Sequence, residues 1–162
     1  MKFLVFGVAL VIFLSVAIAA IVNANEKETT NPLCQELNNK EKPSPSDRIK
    51  DSDFSSISNK TTINLNNAKL RKYIDSNSMD PLIDEGTTTI EIAPKKEDEI
   101  KTGDIISYKI NGYDYALVHR VVGIGNDEDG NYFVTKGDNY WKEDPYKVRF
   151  SQIEGIVVGI LY

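Results

Sequence analysis

The chain has 162 residues, with 19 Lys and Arg against 24 Asp and Glu and a formal net charge of −5. An acidic chain without a basic block lacks the clustered cations that bind phosphate backbones, so nucleic-acid binding is excluded as a leading reading. A single cysteine, Cys34, and a single histidine, His119, exclude an internal disulfide framework and an ordinary His/Cys zinc site.

Residues 3–22 read FLVFGVALVIFLSVAIAAIV, twenty residues without a charge. As a helix this run spans about 30 Å, the thickness of a bilayer's hydrocarbon core, and it predicts a transmembrane anchor. A cleaved secretory signal is the competing reading, because Ala17-Ile18-Ala19 and Val22-Asn23-Ala24 resemble cleavage sites, but the apolar run is long for one. Both readings send the remainder across the membrane, giving a single-pass topology with the bulk of the chain on the extracytoplasmic or lumenal side. Residues 23–62 are rich in Asn, Ser, Thr, Lys and Glu and poor in apolar residues, which predicts a flexible polar linker. Cys34 within it carries no lipidation pattern.

Residues 63–162 change texture. Short β-branched and aromatic runs are separated by turn residues, which predicts an all-β domain. The expected strands are residues 69–74, 87–92, 104–110, 113–124, 132–136 and 153–161, with Asn111-Gly112 as a hairpin signal. About six strands suit a small sandwich or a partly closed barrel.

Three clusters in this domain carry possible chemistry: Ser76-Asn77-Ser78-Met79-Asp80-Pro81, His119-Arg120-Val121-Val122-Gly123, and Lys136-Gly137-Asp138-Asn139 followed by Asp144. A serine hydroxyl becomes a nucleophile when a neighbouring base takes its proton and a third group fixes that base. His119 is the one imidazole available, and strand alternation puts it on the face of Tyr115, Leu117 and Val121. Taken singly, a serine in a turn and a histidine in a strand are ordinary structural residues, and GDN and EDP are ordinary turn chemistry. Trp141 is expected to pack in the core or at its rim.

The order and identity of the clusters resemble a type I signal peptidase. Ser78-Met79-Asp80-Pro81, with Ser76 two positions earlier, is similar to that family's serine motif and follows an apolar anchor. His119 before Arg120-Val121-Val122-Gly123 resembles the archaeal and endoplasmic-reticulum branch, where the bacterial branch has lysine. Gly103-Asp104 and Thr135-Lys136-Gly137-Asp138-Asn139 are similar to the family pattern too, and the resemblance runs over roughly residues 68–160. It implies a serine endopeptidase acting on preproteins with signal peptides at the lipid bilayer, with no cofactor and no metal, and leaves additional membrane subunits open. Ser78 is then the nucleophile, His119 the general base, and Asp138 the group that orients His119, with Asp144 second for that role. Ser76 and the Ser78 backbone NH would form the oxyanion hole. Leu82 and Ile83 are apolar residues near the serine that could contact the bilayer, though in a β protein such residues are more often core. The chain departs from the pattern at Asn77, where glycine is common, and in its long linker. The alternatives are a non-catalytic, membrane-tethered β domain that binds export partners, and a peptidase dedicated to few precursors.

Overall fold

The computed structural model describes residues 43–162. The expected anchor at residues 1–22 and the first half of the expected linker lie outside the described residues. Among those described, no helix is long and apolar enough to cross a membrane.

The described chain is built from nine strands and three single 3-10 turns, with no α-helix among the described residues. A small antiparallel hairpin pairs β1 (Phe54–Ile57) with β2 (Lys60–Ile63). The remaining strands are β3 (Ala68–Lys72), β4 (Thr88–Ile92), β5 (Ile105–Lys109), β6 (Ala116–Asp127), β7 (Gly130–Lys136), β8 (Lys147–Val148) and β9 (Ile153–Leu161). They form one antiparallel sheet in the order β3-β4-β9-β5-β6-β7-β8. All six strands expected from the sequence are present; β1, β2 and the two-residue β8 are additional. The all-β class holds, but β3 and β8 stand at opposite edges without pairing, so the sheet does not close into a barrel.

Strand β5 is the spine of the sheet. Its Ile105-Ile106-Ser107-Tyr108 run is buried throughout, because side chains alternate between two covered faces. Ile106 and Tyr108 join Val121, Phe133, Val148 and Ile156 in one apolar cluster. Ile105 joins Met79, Ile83, Val118 and Val157 in the other. Burial of each such side chain stabilises by about 1.5–3 kcal/mol. Ile83 is thus a core residue and Leu82, partly buried, packs beside it, as is usual for apolar residues of a β domain. Pairing slips by a residue between Ile90 and Glu91, between Ser107 and Tyr108, and between Val121 and Gly123. Such bulges bend the strands and raise their twist, and two of them lie beside groups discussed below.

Part of the stretch expected to be a linker is attached to this domain. Asp104, with no exposed surface, accepts hydrogen bonds from the Ser46 backbone NH at 2.8 Å, the Arg48 guanidinium at 2.5 Å and the Lys101 backbone NH at 2.8 Å. Arg48 also donates to the Glu99 carbonyl at 2.5 Å. Low apolar content hid this attachment because polar groups make it. Asp104→Ala strands the half-buried Arg48 charge and should cost about 3 kcal/mol. It should also release residues 43–50, read as faster amide exchange at Ser46 and Arg48 with the β5–β6 amides still protected.

Candidate functional site

His119 stands on β6 directly opposite Ile106 of β5, and one register step along the same face Val121 faces Thr135 of β7. This geometry puts Tyr108, His119 and Thr135 on one face of three adjacent strands. The chain then returns over that face, with the Asp144 backbone NH bound to the Thr135 carbonyl at 2.7 Å. Asp144 Oδ2 lies 2.6 Å from His119 Nδ1 and accepts the Thr135 hydroxyl at 2.6 Å and the Tyr108 hydroxyl at 2.9 Å. Tyr108 and Tyr140 flank the imidazole edge-on, with ring centroids 6.5 and 6.3 Å away. Burial raises the Asp144 pKa, but hydrogen bonds from His119, Thr135 and Tyr108 outweigh it and the net shift is downward. Burial, and next to it the Asp144 charge, push the Tyr108 hydroxyl upward, which keeps it a donor.

Asp138, expected to orient His119, does not reach it. Its two oxygens accept from Arg120 Nε and Nη2 at 2.8 and 2.7 Å, and Arg120 also donates to the Gly103 carbonyl at 2.8 Å. The reason is alternation: Arg120 follows His119 on the strand and points to the opposite face, taking Asp138 with it. The carboxylate against His119 is that of Asp144.

The loop carrying Asp138 instead cradles the serine turn. The Ser78 carbonyl accepts the Asn139 backbone NH at 3.0 Å, and Asn139 Nδ2 donates to the Asn77 carbonyl at 2.9 Å. A Cβ on Gly137 would fall 2.5 Å from the Ser78 carbonyl oxygen, so only glycine permits this approach. Asn77 adopts φ of 55°, a left-handed conformation that asparagine tolerates better than most residues. Ser76 Oγ and Ser78 Oγ are 3.0 Å apart. Met79, on the following position, is buried in the second apolar cluster and pins the turn from below.

Ser76, Ser78 and His119 line one groove of about 340 Å³, whose walls are Arg71, Lys72, Tyr73 and Ile74 on one side and Tyr115, Ala116, Leu117 and Val118 on the other. A larger cavity of about 1040 Å³ lies elsewhere, against residues 43–49, Pro81, Arg120 and Asp138, and neither Ser78 nor His119 lines it. Trp141 is exposed and stacks only under Lys142, against the expectation that it packs. No group of three or more His, Cys, Asp or Glu side chains placed to hold a metal occurs among the described residues. No motif or spacing marks Tyr108 and Thr135 as carboxylate donors, although both occupy the face of His119 by register.

Fold and groove together define an all-β protein that presents a paired hydroxyl and a carboxylate-backed imidazole in one cleft. The chain has homologues among signal peptidase complex catalytic subunits. It is 36% identical over 70 residues to the subunit SEC11C of Homo sapiens, covering 43% of this chain and 36% of that protein. It is 31% identical over 100 residues to SEC11 of Plasmodium falciparum, covering 53% of each chain. To SEC11 of Scheffersomyces stipitis it is 36% identical over 94 residues, covering 53% of this chain and 55% of that one. The matches thus span between about a third and about half of the relatives' lengths. No family model and no solved structure matches the chain.

Two outcomes follow from this geometry. Gly137→Ala should displace the Ser78 turn and lower melting temperature, while Gly123→Ala, where an added Cβ meets Val134 at an ordinary 3.7 Å and the backbone is not left-handed, serves as the control for the loss of glycine. For Asp144 the native pKa lies below its ordinary 3.8, so its contribution to stability is complete above 3.8 and lost as pH falls through the lowered native value. In urea titrations the stability deficit of Asp144→Asn should be present at about pH 6 and shrink as the pH drops below about 4.

Proposed function

We propose that the chain is a membrane-anchored serine endopeptidase that removes signal peptides from exported preproteins. The observation that carries this reading is the groove shared by Ser78 and His119, with His119 bonded at 2.6 Å to a half-buried carboxylate. In the mechanism, the Ser78 hydroxyl attacks the scissile carbonyl as His119 takes its proton. His119 returns that proton to the leaving amine, and water then hydrolyses the acyl-enzyme. Asp144 holds the proton on Nδ1, leaving Nε2 as the basic nitrogen, and stabilises the imidazolium formed on proton transfer. Asp138 has the different task of tying Arg120 to the loop that seats the serine.

Ser76 Oγ, beside Ser78 Oγ, and the Ser78 backbone NH are the proposed donors to the oxyanion, each such donor contributing about 3 kcal/mol in comparable enzymes. The groove accepts its substrate as an extended strand. Beyond Lys72 the β3 side has no further pairing with β4, and on the β6 side residues 116–119 pair with β5 alone, so both walls present free backbone edges. A volume of about 340 Å³ is at the low end for ligand sites, which favours small side chains next to the cut.

The apolar run at residues 3–22 would hold the domain at the extracytoplasmic or lumenal face of the bilayer, where preproteins emerge. The relatives' name as subunits of a signal peptidase complex supports additional membrane subunits as partners.

The test is cleavage of a preprotein carrying an Ala-x-Ala signal by the full-length chain in detergent. Ser78→Ala and His119→Ala should each lower turnover by roughly a thousandfold or more, and Ser76→Ala by about a hundredfold. Cleavage that survives Ser78→Ala would overturn the assignment of the nucleophile. A folded wild-type chain that binds the preprotein without cutting it would favour the tethered binding domain.

A further inference from the structure

Tyr73, Ile74 and Ser76 all line the groove, yet ladder pairing between β3 and β4 ends at Lys72 with Thr88. The wall that leads into the serine turn is therefore tied to the sheet by side chains. Its principal tie is Glu91 of β4, which is 1% exposed and takes no part in the chemistry above.

Glu91 Oε1 accepts a short hydrogen bond from the Tyr73 hydroxyl and another from Thr89 Oγ1 at 2.9 Å. Oε2 accepts from Ser107 Oγ at 2.7 Å and faces Arg71 Nε at 3.2 Å. Arg71 continues to Glu154 at 2.7 Å, where Lys109 joins at 3.1 Å. The β9 backbone passes directly behind the carboxylate: a Cβ on Gly155 would lie 2.6 Å from Oε2, so glycine leaves the space that Glu91 fills. The register shifts of β9 against β4, at Ile90/Glu91, and against β5, at Ser107/Tyr108, flank the same point.

Burying a carboxylate is costly, and a well-packed apolar side chain would commonly serve stability as well. An apolar residue would not hold the Tyr73 hydroxyl and the Arg71 guanidinium, both of which belong to groove-lining residues. Burial, reinforced by the Glu91 hydrogen bond and charge, drives the Tyr73 phenol far above its ordinary range, so it remains a donor. The serine itself is seated separately, by Asn139, Gly137 and Met79.

We propose that Glu91 is a positioning residue for peptide recognition, which fixes Tyr73 and Arg71 and thereby sets the shape of the groove wall ahead of Ser76. This rests on the peptidase reading. It separates two functions in space: the Asp144 network governs the chemical step, and the Glu91 network governs how well the peptide is held.

The experiment compares Tyr73→Phe and Glu91→Gln in the full-length protein. One arm measures kcat and KM on a preprotein. The other measures Kd for a fluorescein-labelled peptide carrying an Ala-x-Ala sequence, with each substitution placed on the Ser78→Ala background. Tyr73→Phe keeps its ring in the core and removes one hydroxyl, leaving Glu91 short of a donor. KM and Kd should rise about tenfold while kcat stays within about twofold. Glu91→Gln keeps an acceptor for Tyr73 but loses the charge facing Arg71, and should fall between wild type and Tyr73→Phe. Unchanged KM and Kd in Tyr73→Phe, or a loss confined to kcat, would overturn the proposal. A wild-type chain that binds peptide without cutting it would defeat the peptidase reading alone, since the Kd arm still decides the role of Glu91. Absence of peptide binding would overturn both.

Discussion

One oxygen of Asp144 collects contacts from three residues that stand on three adjacent strands: Tyr108 on β5, His119 on β6 and Thr135 on β7. The convergence requires the registers of both strand pairs, because a one-residue slip would send His119 to the opposite face with Arg120. Those registers are in turn set by the two apolar clusters, which place Ile105 and Ile106 on opposite faces of the central strand. The site is thus a consequence of how the sheet is buried, and the loop that delivers Asp144 is pinned by its own backbone bond to Thr135.

The opposite face carries a second polar assembly with a mechanical task. Arg120 and Asp138 hold the residue 137–139 loop, and that loop holds the serine turn through Asn139 and the absent side chain of Gly137. The imidazole and the serine turn are therefore placed through neighbouring positions of one strand, His119 and Arg120, on opposite sides of the sheet. This arrangement explains why two aspartates six positions apart, which look interchangeable in the sequence, have unrelated partners.

Much of this is legible in the sequence. Alternation placed His119 on the face of Leu117 and Val121, and the six longer strands were marked by their β-branched runs. The partner of His119 was not legible, because it depends on the path of an irregular loop and no periodicity governs such a path. Glu91 was hidden for a different reason. In Thr88-Thr89-Ile90-Glu91-Ile92 the usual expectation turns the isoleucines inward, whereas the fully buried positions are Thr89 and Glu91. Composition points to a linker through residue 62, but Ser46 and Arg48 attach its described start to Asp104 by hydrogen bonds, and residues 54–63 pair with one another as the β1–β2 hairpin; neither feature needs apolar residues.

Asp144, and not Asp138, holds the His119 imidazole. With one histidine in the chain, the His119 ring NH protons can be assigned without ambiguity by nuclear magnetic resonance. A strongly downfield Nδ1 proton is expected in the wild type, persisting in Asp138→Asn and lost or shifted upfield in Asp144→Asn. A signal indifferent to Asp144, or one abolished by Asp138→Asn in a folded protein, would contradict it.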